Sequence, residues 1–355
     1  MILAEDENFL TPLDGFTYYP NATSVHSRTY PSIAYLLTGN MCYFDQKPQE
    51  YVNMAYKDSN FIPTLYENGI EVGLYTYLYH IGDSAKPQLC NYVSEKHKLD
   101  FSEIIKLSVK MNLYRDMPYL VKRRFEYDIS EINNRVVEGL YIEEAEEEGS
   151  AEPFRIFDDE WFAGRLTENG LTASEEDGCF RFYHLASAHA NLSDAIPPAM
   201  RSFEIVYEYL EQMRKLGIYD DAMVIITTDH GYSGGGDTLD MPHQTAVPIL
   251  FVKPSGVSGS EMQISEAPVS HTEFIPTILD GFSLDYADYG MAVYDIEEIS
   301  NRDRFYYYSA LYTDEEGEVE LREYKVSGDA RIPDSYHFTG NKWDIRYSYN
   351  IVAKK

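Results

Sequence analysis

The chain has 355 residues, room for one large or two ordinary domains and for a sizeable core. Its 29 Lys and Arg against 59 Asp and Glu leave a formal net charge of -30, which excludes the basic phosphate-tracking face of a nucleic-acid binder. Fractions of 25% charged and 44% hydrophobic residues exclude a disordered or fibrous chain, and no stretch approaches the ~18 consecutive apolar residues of a membrane span.

Taken in chain order, the first element is a helix over 29–38. Thr29-Tyr-Pro-Ser-Ile-Ala-Tyr-Leu-Leu-Thr-Gly39 places a hydroxyl first, a proline early and a glycine at the end, around an apolar face of Ile33, Leu36 and Leu37. A second helix over 61–68, closed by Gly69, leads into a strand over 70–76. Between about 90 and 160 the pattern loosens into amphipathic stretches (101–110, 119–124) and an acidic run at 141–149, read as an insertion or lid. A strand over 180–186 follows. An amphipathic helix then carries Met200, Phe203, Val206, Tyr207, Leu210, Met213 and Leu216 at three- and four-residue spacing and closes at Gly217. The apolar runs 222–228 and 247–253 are too short for helices and read as buried strands, the first of them parallel. After about 290, short Tyr-rich strands (304–312, 319–326) suit an antiparallel subdomain. The expected fold is therefore a doubly wound, mostly parallel α/β sheet flanked by helices over 1–290, with a small C-terminal α+β subdomain over 291–355. Cys42, Cys90 and Cys179 are far apart in sequence and are expected to be buried hydrophobes, with one bridge conceivable.

Ligands of open α/β sheets gather at the carboxyl ends of the strands. Asp229-His230-Gly231 closes the strand at 222–228, where a carboxylate and an imidazole can reach one divalent cation above a glycine turn. His189 follows the strand at 180–186, and His243 precedes the strand at 247–253. His184 lies within its strand and reads as a satisfied core histidine; His26, His80, His97 and His337 have no supporting context. Thr29 sits at a helix N-terminus, where the backbone favours negative charge and a nucleophile would be stabilised. As a plain N-cap it would be worth about 1 kcal/mol.

These segments together resemble the sulfatase-like branch of the alkaline phosphatase superfamily. Residues 29–39 align without a gap to C/S-x-P-S-R-A-x-L-L-T-G; 223–231 resemble the second metal motif, 246–254 the strand after it, 269–279 the helix V-S-H-V-D-L-Y-P-T-L-L, and 61–75 the L-x-x-x-G-Y-x-T unit. Two departures stand out. Thr29 cannot become the formylglycine of sulfatases, and Ile33 replaces the motif's Arg. Thr at this position is what lipoteichoic acid synthases and phosphoethanolamine transferases use. That resemblance implies transfer or hydrolysis of a phosphoryl head group through a Thr29 adduct, with Thr29, Asp229 and His230 on a divalent metal (Mn, Zn, Mg or Ca). His189, His243 and Arg28 would contact the substrate, a lipid- or glycan-linked phosphodiester at the extracytoplasmic face of the membrane. A sulfate-ester hydrolase and a non-catalytic, Tyr-rich envelope domain are the alternatives. The family's first core strand, with its acidic metal ligand, normally lies tens of residues before the nucleophile. Only 28 residues precede Thr29 here, so the resemblance also implies a longer protein, with that strand and membrane helices upstream and a metal site that is incomplete or empty in this chain.

Overall fold

The computed structural model describes residues 10–92, 101–118, 159–173, 178–186, 196–232, 242–310 and 320–347. They fall into two compact units, one of residues 1–90 and 155–355 and one of Asn91–Phe154. The smaller unit contributes the helix Phe101–Asp116; the stretches 119–124 and 141–149 lie outside the described residues.

In the larger unit, strand β1 (Thr17–Tyr18) precedes helix α1 (Thr29–Thr38), and Gly39 ends α1 at φ 73°, its N–H donating to the Tyr35 carbonyl. Helices α2 (Pro48–Lys57) and α3 (Phe61–Glu67) lead into β2 (Glu71–Tyr75). Helix α4 (Asp159–Asn169) is followed by β3 (Cys179–Tyr183), α5 (Ile196–Leu216) and β4 (Val224–Thr227). The short turn α6 (His243–Ala246) opens into β5 (Leu250–Lys253), β6 (Gln263–Ile264) and α7 (Phe274–Gly281). The chain closes with β7 (Asp303–Ala310), β8 (Glu320–Ser327) and β9 (Tyr336–Asp344).

Among the described residues three sheets form, in the orders β4-β5-β1-β6, β2-β3 and β7-β8-β9. β2 and β3 are parallel, in register from Glu71↔Cys179 to Tyr75↔Tyr183. In the first sheet β4 is antiparallel to β5, and β1 is antiparallel to β5 and parallel to β6. Among the described residues the apolar run at 222–228 is thus an edge strand paired antiparallel with β5, and it is half-buried. Its alternation serves two faces. Val224 and Ile226 join Phe251, Phe203, Leu210 and Met213 under α5, whereas Ile225 joins Leu250, Val252, Val269 and Val293 on the opposite side.

The antiparallel sheet packs Tyr306, Tyr324, Val326 and Tyr336 on Ala246 and Val247. Arg304, 2% exposed, ties that sheet to the N-terminal segment by donating to the carbonyls of Asn21, Val269 and Gly328. All three cysteines are free; Cys42 is buried, but Cys90 and Cys179 are exposed. Leu89 bridges one side of Val72 and Phe180 pairs with the other, so β2 runs between these two cysteines. Two strand spacings, about 9.6 Å, exceed the reach of a disulfide.

Candidate functional site

The carboxyl end of β4 is where the elements converge. Asp229 and His230 follow β4 directly, and the Asp229 side chain is only 19% exposed. The Thr29 hydroxyl, at the first turn of α1, lies close enough to the Asp229 carboxylate to help lower its pKa. Burial raises the Asp229 pKa, but the neighbouring His230 and His184, the Thr29 hydroxyl and the His230 N–H outweigh it and hold the carboxyl below its ordinary value. It is therefore ionised at neutral pH.

The loop beneath this pair is tightly confined. Gly231 N–H donates to the Thr245 carbonyl at 2.8 Å, and a Cβ on Gly231 would lie 2.2 Å from the Gln244 carbonyl oxygen and 2.6 Å from that of Val247. Only glycine fits there. The α6 turn is itself fixed by Ser24, which donates to the carbonyls of Thr245 and Ala246, and by a 2.6 Å hydrogen bond between Thr245 and Tyr306. Behind the loop, His271 Nε2 lies 3.1 Å from Thr227 Oγ1, and burial pushes His271 down to about 4.

Two histidines that sequence reasoning set aside belong to this site. His184 follows β3 and lowers the Asp229 pKa through space, and His80, 1% exposed, is raised by Asp229 against the larger effect of its burial. Their rings are 5.5 Å apart, and Thr76 Oγ1 lies 3.0 Å from His80 Nδ1 and 3.1 Å from His184 Nδ1. His184 is not a plain core residue, and His80 has the context its sequence neighbourhood lacks. The signal was the parallel β2–β3 register, which carries Thr76 and His184 side by side past the paired Tyr75 and Tyr183.

Of the other expected contacts, Arg28 caps α1 with an extended backbone, and its Nε is buried without a hydrogen-bond partner. His243 begins α6, its Nδ1 likewise buried and unpartnered and its ring 6.5 Å from Tyr336. The α6 turn joins it to the Gly231 loop, but no direct contact with Asp229 is formed. His189 lies outside the described residues.

The expected divalent cation can be tested against the donors. His230 Nδ1 lies 2.7 Å from the Gly231 carbonyl and donates to it, and His230 Nε2 lies 3.5 Å from Asp229 Oδ2. Those two atoms and the Thr29 hydroxyl are ligand types. Among the described residues, however, no group of three or more His, Cys, Asp or Glu side chains is placed to hold a metal ion. The described residues do not by themselves fit the implied cation.

Comparison with known proteins bears on this geometry. Residues 204–284, which hold Asp229, His230, Gly231 and His271, match the Sulfatase family model. The fold is alkaline phosphatase-like, as in sulfatases. The crystal structure of Ps i-CgsB in complex with k-i-k-neocarrahexaose has a TM-score of 0.53 at 13% identity, covering 92% of this chain and 78% of that one. The structure titled Ps i-CgsB alone has the same TM-score and identity over 90% and 77%. N-sulphoglucosamine sulphohydrolase of Homo sapiens is 35% identical over 107 residues, 30% of this chain. The aligned stretch spans 21% of that relative's length. These matches support the sulfatase side of the superfamily. The narrower likeness to lipoteichoic acid synthases and phosphoethanolamine transferases rests on Thr29. Among the described residues no helix is long and apolar enough to cross a membrane.

Proposed function

We propose that the chain belongs to an enzyme that hydrolyses a sulfate ester, with Thr29 as nucleophile. The observation that carries this reading is the placement of the Thr29 hydroxyl, at the first turn of α1, beside an ionised Asp229 whose pKa it helps to lower. Asp229 orients the hydroxyl and accepts its proton as Oγ1 attacks sulfur. The bond from sulfur to the ester oxygen breaks, and that oxygen leaves as an alcohol after protonation from solvent. Water then attacks the sulfo-Thr29 adduct, the bond from sulfur to Oγ1 breaks, Asp229 returns the proton to Oγ1, and sulfate departs. The N–H groups of the first turn of α1 and the Arg28 guanidinium supply positive potential to the sulfuryl oxygens. The Sulfatase match and the N-sulphoglucosamine sulphohydrolase relative support a sulfo group on a sugar as the group removed.

Thr29 itself favours a second reading, the same two steps on a phosphodiester with a phosphoglycerol or phosphoethanolamine head group on a lipid or glycan. Parallel turnover assays with an aryl sulfate and a bis-aryl phosphate separate the two. Preference for the sulfate, lost in Thr29→Ala, supports the first reading; preference for the phosphodiester transfers the proposal to the second. Undiminished turnover in Thr29→Ala of either ester would sink both.

A further inference from the structure

The stretch that delivers Thr29 to the site runs beside β7. Tyr307 N–H donates to the Val25 carbonyl at 2.8 Å, and His26 and Tyr307 form a parallel bridge. In a continued parallel ladder the next rung would run from the Ser309 N–H to the Ser27 carbonyl. Here it goes to the Ser27 side chain: Ser309 N–H donates to Ser27 Oγ at 2.9 Å, and the two hydroxyl oxygens also lie 2.9 Å apart. Ser27 is 2% and Ser309 1% exposed, so bulk water does not reach these bonds.

A side chain standing in for a carbonyl frees the backbone to leave the ladder. Arg28 is extended, at φ -139° and ψ 149°, makes no side-chain cap on α1, and is followed at once by the helix that starts with Thr29. The other flank of this turn is held by Ser32, 1% exposed, whose N–H donates to the Arg28 carbonyl and whose Oγ donates to the His26 carbonyl, both at 3.1 Å. The three residues before Thr29 are thus clamped between α1 on one side and β7 on the other. We propose that Ser309 is a positioning residue that, through Ser27, sets the point at which the chain leaves β7 and so places the Thr29 hydroxyl beside Asp229.

Ser27 and Ser309 are 282 residues apart, so the C-terminal antiparallel sheet is part of the support of the N-terminal nucleophile rather than an appendage. Ser27 lies two residues before Thr29, and a shift there passes along a backbone that Arg28 does not cap. Misplacing a reacting atom by about 1 Å can cost on the order of 10²-fold in rate. That effect on turnover rests on the ester-hydrolase reading with Thr29 as nucleophile; the anchoring of residues 26–28 does not.

The test is a double-mutant cycle of Ser27→Ala and Ser309→Ala, read by steady-state kinetics on an aryl sulfate and a bis-aryl phosphate and by amide hydrogen exchange. Ser27→Ala loses both bonds and should lower kcat by at least about tenfold with KM within about twofold, while the Ser309 amide exchanges faster. Ser309→Ala keeps its N–H bond and should lower kcat less, and the double variant should be no slower than Ser27→Ala, since the two side chains act as one contact. Ser327→Ala, which removes a 2.7 Å bond to Asp303 at the far end of the same hairpin, should leave kcat unchanged. Native kcat in Ser27→Ala, or single losses that multiply in the double variant, would overturn the inference. Should Ser27→Ala not fold, Ser309→Ala against Ser327→Ala decides, and equal kcat in those two overturns it. Absence of turnover of both esters by the native chain would remove the function proposed above; a faster Ser309 amide in Ser27→Ala would then still support the anchoring, and an unchanged one would sink it.

Discussion

Thr29 and Asp229 are 200 residues apart in sequence, yet the Thr29 hydroxyl is close enough to the carboxylate to lower its pKa. Thr29 is only half-buried, and α1 is held by the buried side chains of Ile33, Leu36 and Leu37 rather than by its first residue. Thr29→Ala should therefore lower ester turnover by at least about 10³-fold while moving the urea midpoint little, a combination that steady-state kinetics and equilibrium unfolding measure separately. Partial activity in Thr29→Ser would fit a hydroxyl nucleophile, and a Thr29→Ala protein that unfolds instead would point to a structural cap. This pair was legible in the sequence because each half lies in a contiguous motif: a hydroxyl before a helix, an acid after a strand. His80 and His184 were not. Their pairing depends on strands 108 residues apart coming into parallel register, and no local spacing encodes that.

At the scale of the element, the site depends on a short loop and an edge strand. Gly231→Ala would drive a methyl group into the carbonyl oxygens of Gln244 and Val247, so either the loop or the α6 turn must move. A cost of about 1–3 kcal/mol in unfolding free energy is expected, with a larger proportional loss of turnover because Asp229 and His230 ride on the same loop. At the other end of the sheet, Lys253 is fully enclosed and its Nζ donates to the carbonyls of Tyr219, Asp220, Ala222 and Pro254 while lying 4.7 Å from the Tyr219 ring. Lys253→Met keeps the apolar stem but strands those carbonyls, and should cost about 2–4 kcal/mol by urea unfolding with the kinetics of the remaining folded enzyme unchanged. Periodicity disclosed the existence of β4 and β5 but not their direction, since an apolar run reads alike in parallel and antiparallel sheets. It missed β9 altogether, whose residues 337–342 are all exposed, with Phe338 the one large apolar side chain among them, too little hydrophobic alternation to read.

For the whole molecule the competition is between surface charge and buried imidazoles. A net charge of -30 opposes compactness, and acidification that relieves it would stabilise the fold. His26, His80 and His271 act the other way. Burial pushes His26 and His80 down to about 3 and His271 to about 4, from 6.5 in the unfolded chain. Above pH 6.5 both states hold these rings neutral and nothing is lost. Below it the unfolded chain takes up protons that the native state refuses, so stability falls with pH until the native values near 3 to 4 are reached. One unit below 6.5 costs about 1.4 kcal/mol per ring, about 4 kcal/mol for the three, a large part of the total stability of an ordinary domain. Carboxylate pairs such as Asp14 with Arg214 enter only below the ordinary carboxylate range, so they leave this window to the histidines. At 0.15 M salt the screening length of about 8 Å damps the long-range repulsion, and the histidines should win. Urea midpoints are expected to drop between pH 7.5 and 5.5, and His26→Gln should remove about a third of that drop. Its amide oxygen can still accept the Cys42 N–H that His26 Nε2 accepts in the native chain. A midpoint that rises over the same interval would show that surface repulsion, rather than the buried rings, governs the acid response of this fold.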